Sequence, residues 1–144
     1  MPSAAAKAEE MKRRYLREAV ITATPGARLN MLFDKMIFEL GQADNGFEQE
    51  DLKAVNDGLC RAQDILLALR GTLRTDIWDG ATDLSQLYFA LYKELLEANM
   101  KKNRAQAQRV LRVVQDLAAA WRRAAEQGTG SRLAATASAA AVGV

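Results

Sequence analysis

Proline occurs only at positions 2 and 25, so residues 26 to 144 lack the one side chain that breaks a helix both by clash and by a missing donor. Along that stretch apolar residues recur at intervals of three and four rather than two, which is the period of a helix face and not of a strand. The chain is predicted to be all-α.

The first long helix is expected to open at TATPGARL, with Thr24 as N-cap and Pro25 in the first helical position, where a missing N–H costs nothing. Leu29, Leu32, Phe33, Met36, Ile37 and Leu40 share one face, and the helix is expected to fade near Gly41, with QADNG as the turn. A second helix from about Glu48 to Thr72 carries Leu52, Val55, Leu59, Ala62, Leu66, Leu69 and Leu73 in a three-four alternation, the pattern of a bundle seam. A third follows the Asp79-Gly80 turn, with Asp83 as its cap, and a tight turn at Lys101 to Asn103 leads into a fourth, from about Arg104 to Glu126. The fourth directs Val110, Val113, Val114, Leu117, Trp121 and Ala124 inward.

Four amphipathic helices with short connections bury their stripes best as an antiparallel four-helix bundle. The expected organisation is a short N-terminal arm or helix (1–22), the bundle (23–127) and a disordered Ala-rich tail (128–144). The tail is too poor in bulky apolar residues to offset its ordering entropy.

A chain of 144 residues can bury roughly two thirds of its unfolded surface, so ordinary packing suffices to fold it. No cofactor is expected. Cys60 is the only cysteine and there is no histidine, which removes disulfides, multi-thiolate sites, the commonest metal ligand and the commonest general base. No glycine-rich phosphate loop is present, and no convergent set of acid, base and oxyanion groups can be named, so the protein is read as no enzyme. Twenty basic against eighteen acidic residues give a net charge of +2, unlike the basic stripe of a nucleic-acid binder. With no apolar run for a signal peptide or a membrane span, the cytoplasm is the expected compartment.

LSQLYFALYKELLEANMKKN, from Leu84 to Asn103, has more apolar surface than one core stripe needs. Leu84, Leu87, Leu91, Leu95 and Ala98 complete that stripe, while Phe89, Leu96 and Met100 cluster about 120° to 160° round the helix from Leu84 and Tyr88 and Tyr92 bridge the two. Met31, Phe38 and Leu67 are surplus on the other helices, and Tyr15, Leu16, Val20 and Ile21 are apolar ahead of the first cap. Contiguous apolar surface on a soluble domain marks an interaction site. The basic run NMKKNR is read as helix-end cations, and Asp76, Asp79 and Asp83 as turn and cap residues, since no calcium-loop spacing accompanies them.

Tyr15, TATPGARLNMLFDKMI, RAQDILLALRGTL, LYFALYKELLEANMKKN and Trp121 together resemble the flagellar export chaperones of the FliS family, which are specific for flagellin. Phe33 stands where that family commonly has Tyr, and Thr24 where Ser is frequent. The resemblance implies a small cytoplasmic bundle that binds the C-terminal segment of flagellin, prevents premature polymerisation and delivers the cargo to the membrane export gate of the flagellar apparatus. On that reading Tyr15, Val20, Ile21, Met31, Phe38, Leu67, Tyr88, Phe89, Tyr92, Leu96 and Met100 are the expected cargo-binding residues. The free protein is expected to be a monomer or weak homodimer, not membrane-inserted. The alternative is a self-associating structural bundle without a cargo role.

Overall fold

The computed structural model describes residues 4, 6–8, 10, 25–73 and 80–126. From Pro25 onward these form four helices, α1 (Pro25–Glu48), α2 (Leu52–Gly71), α3 (Gly80–Lys101) and α4 (Arg104–Glu126). Each packs on the next and α4 packs on α1, closing a ring in which α3 and α4 have the least contact. Cross-links between neighbours run in opposite senses along the two partners: Asp44 with Arg104 and Asp34 with Arg122, Asn56 with Asn99 and Arg70 with Ser85. The chain is thus the expected all-α antiparallel bundle. The 1–22 arm beyond its described residues, Thr24, Asp79 and the 128–144 tail lie outside the described residues.

The core is a continuous column. Phe33 and Tyr88 sit near its centre with ring centroids 6.4 Å apart, surrounded by Leu29, Met36, Leu59, Leu66, Leu69, Leu95 and Val114. Leu91 is buried with them, while Trp121 is only partly buried and packs against the edge of the column, as the bulk of an indole commonly requires.

Three boundaries differ from the sequence reading. α1 does not fade at Gly41 but runs seven residues further, to Glu48, because Ala43 is fully buried and Phe47 packs against the core. Tertiary burial outweighs the weak helix propensity of QADNG. The helix then ends in a Schellman turn: Asp51 N–H donates to Gly46 O at 2.8 Å and Glu50 N–H to Phe47 O at 3.2 Å, with Glu50 left-handed at φ 55°. α2 accordingly starts at Leu52, capped by Asp51, whose side chain accepts from Ala54 N–H at 3.1 Å. α3 starts at Gly80 rather than after Asp83, since Ala81 is already fully buried, and Asp83 lies in its first turn, where it complements the helix dipole.

The α3–α4 turn is where the sequence placed it. Lys102 is left-handed at φ 50°, Asn103 N–H donates to Ala98 O at 2.9 Å, and Asn103 Oδ1 caps α4 by accepting from Gln106 N–H at 3.1 Å. Two residues expected inside are outside. Val113 is 37% exposed because it lies about 100° off Val114, the residue that faces the column. Leu52 is 58% exposed because, in the α2–α3 register, it projects past the last residue of α3.

Candidate interaction surface on helices α2 and α3

The α2–α3 seam is held by polar links one heptad apart on both helices. Asn99 Nδ2 donates to Asn56 Oδ1 at 2.9 Å, Gln63 Nε2 to the Tyr92 carbonyl at 3.4 Å, and Arg70 Nε to Ser85 Oγ at 3.1 Å. Asn99 Nδ2 also lies 3.7 Å from Cys60 Sγ. A heptad repeat keeps the same faces of two helices together, so this ladder fixes what stands above it. It sets Leu67 across from Phe89 and Cys60 across from Leu96, on the outer side of the seam.

Leu67 is 42%, Phe89 36%, Leu96 43% and Met100 77% exposed. From Phe89 to Met100 the strip runs about 16 Å along α3. Tyr92 lines its inner edge, half-buried, with its ring stacked on Phe89 at 6.2 Å between centroids and 7° between planes. The core is complete without Leu67, Phe89, Leu96 and Met100, so their solvation is not a packing deficit.

Of the residues singled out from sequence, the structure thus brings Leu67, Phe89, Tyr92, Leu96 and Met100 together. Phe38, 60% exposed, and the half-buried Met31 are on the outward side of α1, which contacts α2 and α4 but stands diagonally across the bundle from α3. Tyr88 is in the interior, 1% exposed; its hydroxyl has no hydrogen-bond partner among the described residues, and burial pushes the phenol well above its ordinary pKa. Tyr15, Val20 and Ile21 lie outside the described residues. The sequence reading did not see the ladder. Its signal was present as polar residues at heptad spacing, Asn56, Gln63 and Arg70 against Ser85, Tyr92 and Asn99.

The charges near the strip are mostly paired. Lys53 bonds Asp57 and Lys101 bonds Glu97 at 2.8 and 2.9 Å, and these hydrogen bonds hold both carboxyls below their usual range. Lys102 Nζ bonds Asn99 Oδ1, so the basic run is occupied locally. Asp76 and Asp79 are outside the described residues, among which no group of three or more acidic or cysteine side chains could hold a metal. Among the described residues no helix is long and apolar enough to cross a membrane.

A family profile described as flagellar protein FliS matches residues 7–128. The chain is similar to the flagellar secretion chaperone FliS of Bacillus subtilis, 30% identical over 76% of this chain and 82% of the relative. It is also similar to the proteins of that name from Salmonella typhimurium, at 30% over 74% and 81%, and Vibrio cholerae, at 28% over 69% and 74%. The motifs behind the resemblance have structural roles here: in RAQDI, Ala62 and Ile65 are core and Gln63 crosses the seam, while Ala98 is buried beside the seam-linking Asn99. A helical bundle with an exposed apolar strip, matched over most of its length, belongs to the FliS family of flagellar secretion chaperones.

Proposed function

We propose that the strip over α2 and α3 holds the C-terminal segment of flagellin in the cytoplasm, keeps it from polymerising early, and releases it at the membrane export apparatus. The observation that carries this is the surplus surface: Phe89, Leu96 and Met100 are exposed along one side of α3, with Leu67 exposed on α2 across from Phe89, beside a core that is closed without them. A groove beside paired helices suits an apolar segment that is laid along it as a helix or extended chain. A segment that orders on binding gives up part of its interaction energy, so a long, shallow strip with distributed contacts both binds and lets go. Met100, the most exposed of the four, adds an unbranched side chain that adapts to an irregular partner.

Leu96→Ser tests the reading. Removing one leucine that becomes buried in the complex is expected to weaken flagellin binding by roughly tenfold or more, since such burial is worth about 1.5–3 kcal/mol. Flagellin truncated at its C-terminus is expected to lose binding to the unmodified chain. A variant that melts far earlier but, where folded, binds flagellin normally would make Leu96 a core residue and remove the strip from the mechanism.

A further inference from the structure

Phe89 differs from Leu96 and Met100 in having cations on its ring. The Arg70 guanidinium carbon stands 4.5 Å, and Lys93 Nζ 5.0 Å, from the ring centroid. Other cations on these helices answer to acids: Lys53 to Asp57, Arg61 to Glu39, Lys101 to Glu97. Among the described residues neither Arg70 nor Lys93 has a carboxylate partner; Arg70 uses its Nε–H on Ser85 and keeps both Nη groups free, and Lys93 makes no hydrogen bond. Asp64, exposed on α2 one turn before Leu67, pairs with neither. Two like charges within about one Debye length repel, and the ring quadrupole offsets only part of that. Beside them Leu67, Arg70, Gly71 and Ser85 line a shallow, open pocket of about 340 Å³.

We propose that this end of the strip is a subsite for an acidic residue of the cargo, resting on the reading that the strip holds cargo. An aspartate or glutamate side chain lies against the Arg70 fork and Lys93, while an apolar neighbour in the same segment enters the pocket beside Leu67. The guanidinium pairs with a carboxylate through its two free Nη groups. The rest of the strip, Leu96 and Met100, offers only non-directional contact, along which a segment could slide by a turn. A charged terminus fixes register and direction, which is the usual contribution of rim charges to recognition.

The test is a calorimetric titration of a flagellin C-terminal peptide into the full chain, at low and high salt. Arg70→Gln with Lys93→Gln is expected to weaken binding roughly fivefold at low salt and to remove most of the salt dependence. Lys35→Gln with Arg112→Gln, the same loss of charge on exposed positions of α1 and α4, is expected to stay within about twofold. Changing the acidic residues of the peptide to amides one at a time is expected to find one that costs the unmodified chain the same factor and costs the double variant nothing. Lys93→Gln alone gives up no hydrogen bond or ion pair among the described residues, only the contact with the Phe89 ring, so it reports on binding even where the double variant melts early. A double variant with unchanged affinity and salt slope, or a control that loses as much, overturns the subsite alone. An unmodified chain that does not bind the peptide at either salt overturns the flagellin reading and the subsite with it.

Discussion

At the scale of single residues, two glycines inside helices have opposite surroundings. A Cβ at Gly41 would meet nothing within 4 Å, whereas a Cβ at Gly58 would come 2.6 Å from the Glu39 carbonyl oxygen and 2.9 Å from Ala43 Cβ. Gly41→Ala is therefore expected to stabilise the fold by about 0.5–1 kcal/mol through helix propensity alone. At Gly58 the same gain meets overpacking worth about 1–3 kcal/mol, because the backbone oxygen of α1 cannot move aside. Urea midpoints for the two variants check both signs, and a stabilised Gly58→Ala would mean α1 and α2 pack less closely than described. The surplus of Phe89, Leu96 and Met100 was legible at this scale because each lies about 100° or more from every residue of the core stripe on a straight helix. The burial of Tyr88 was not. It lies near the stripe's edge, and whether an edge position is covered depends on how closely the next helix approaches.

At the scale of elements, capping separates what the sequence announces from what it conceals. Asn103 was legible as a turn residue and serves as the α4 cap, whereas Asp51 was passed over in favour of an earlier start for α2. Asp51→Ala and Asn103→Ala are each expected to cost about 1 kcal/mol. In urea this is a lower midpoint at unchanged slope; a changed slope would mean that helix ends, not caps, are lost. The length of α1 was hidden for a related reason. Gly41 and Gly46 read as breakers locally, and only contact with α2 shows that the helix passes through both.

For the whole molecule, the α1–α4 pairing carries the clearest dependence on pH. Arg104 bonds Asp44 at 2.9 and 3.2 Å and Glu48 at 2.8 Å, and Gln108 adds a bond to Asp44 at 3.0 Å. The bond from Arg104 holds the Asp44 carboxyl below its ordinary value of 3.8. A lowered folded pKa means that the unfolded chain takes up the proton first. The contribution is therefore fully present above about pH 4 and is lost as pH falls through the Asp44 value. The site is about a third exposed, so the amount is about 1 kcal/mol. Asp44→Asn is expected to lower stability at pH 7 by that amount and to reduce the loss between pH 4 and pH 2. An unchanged acid limb would place the dependence on the exposed Asp57 and Glu97 pairs instead. The four-helix ring itself was legible from stripes and short connections, but the pairing of α2 with α3 through polar rungs was not, since a periodicity of apolar residues says nothing about which polar residues meet.

Both tight turns and the Arg104 clamp lie at one end of the bundle, because helices that alternate in direction bring the α1–α2 and α3–α4 junctions together. Mechanically the molecule is two hairpins, α1–α2 and α3–α4, each folded over a tight turn at that end and joined at the other end where the chain passes from Gly71 to Gly80. The Arg70–Ser85 rung is the last side-chain link of the α2–α3 seam before that crossover. Helix ends fray, so amide protons near Leu59 and Leu95 are expected to outlast those near Leu69 and Leu84, which lie within about one turn of a helix end. Phe89 and its two cations stand near those helix ends, where a bound partner is expected to damp the fraying and raise protection at Leu69 and Leu84 first.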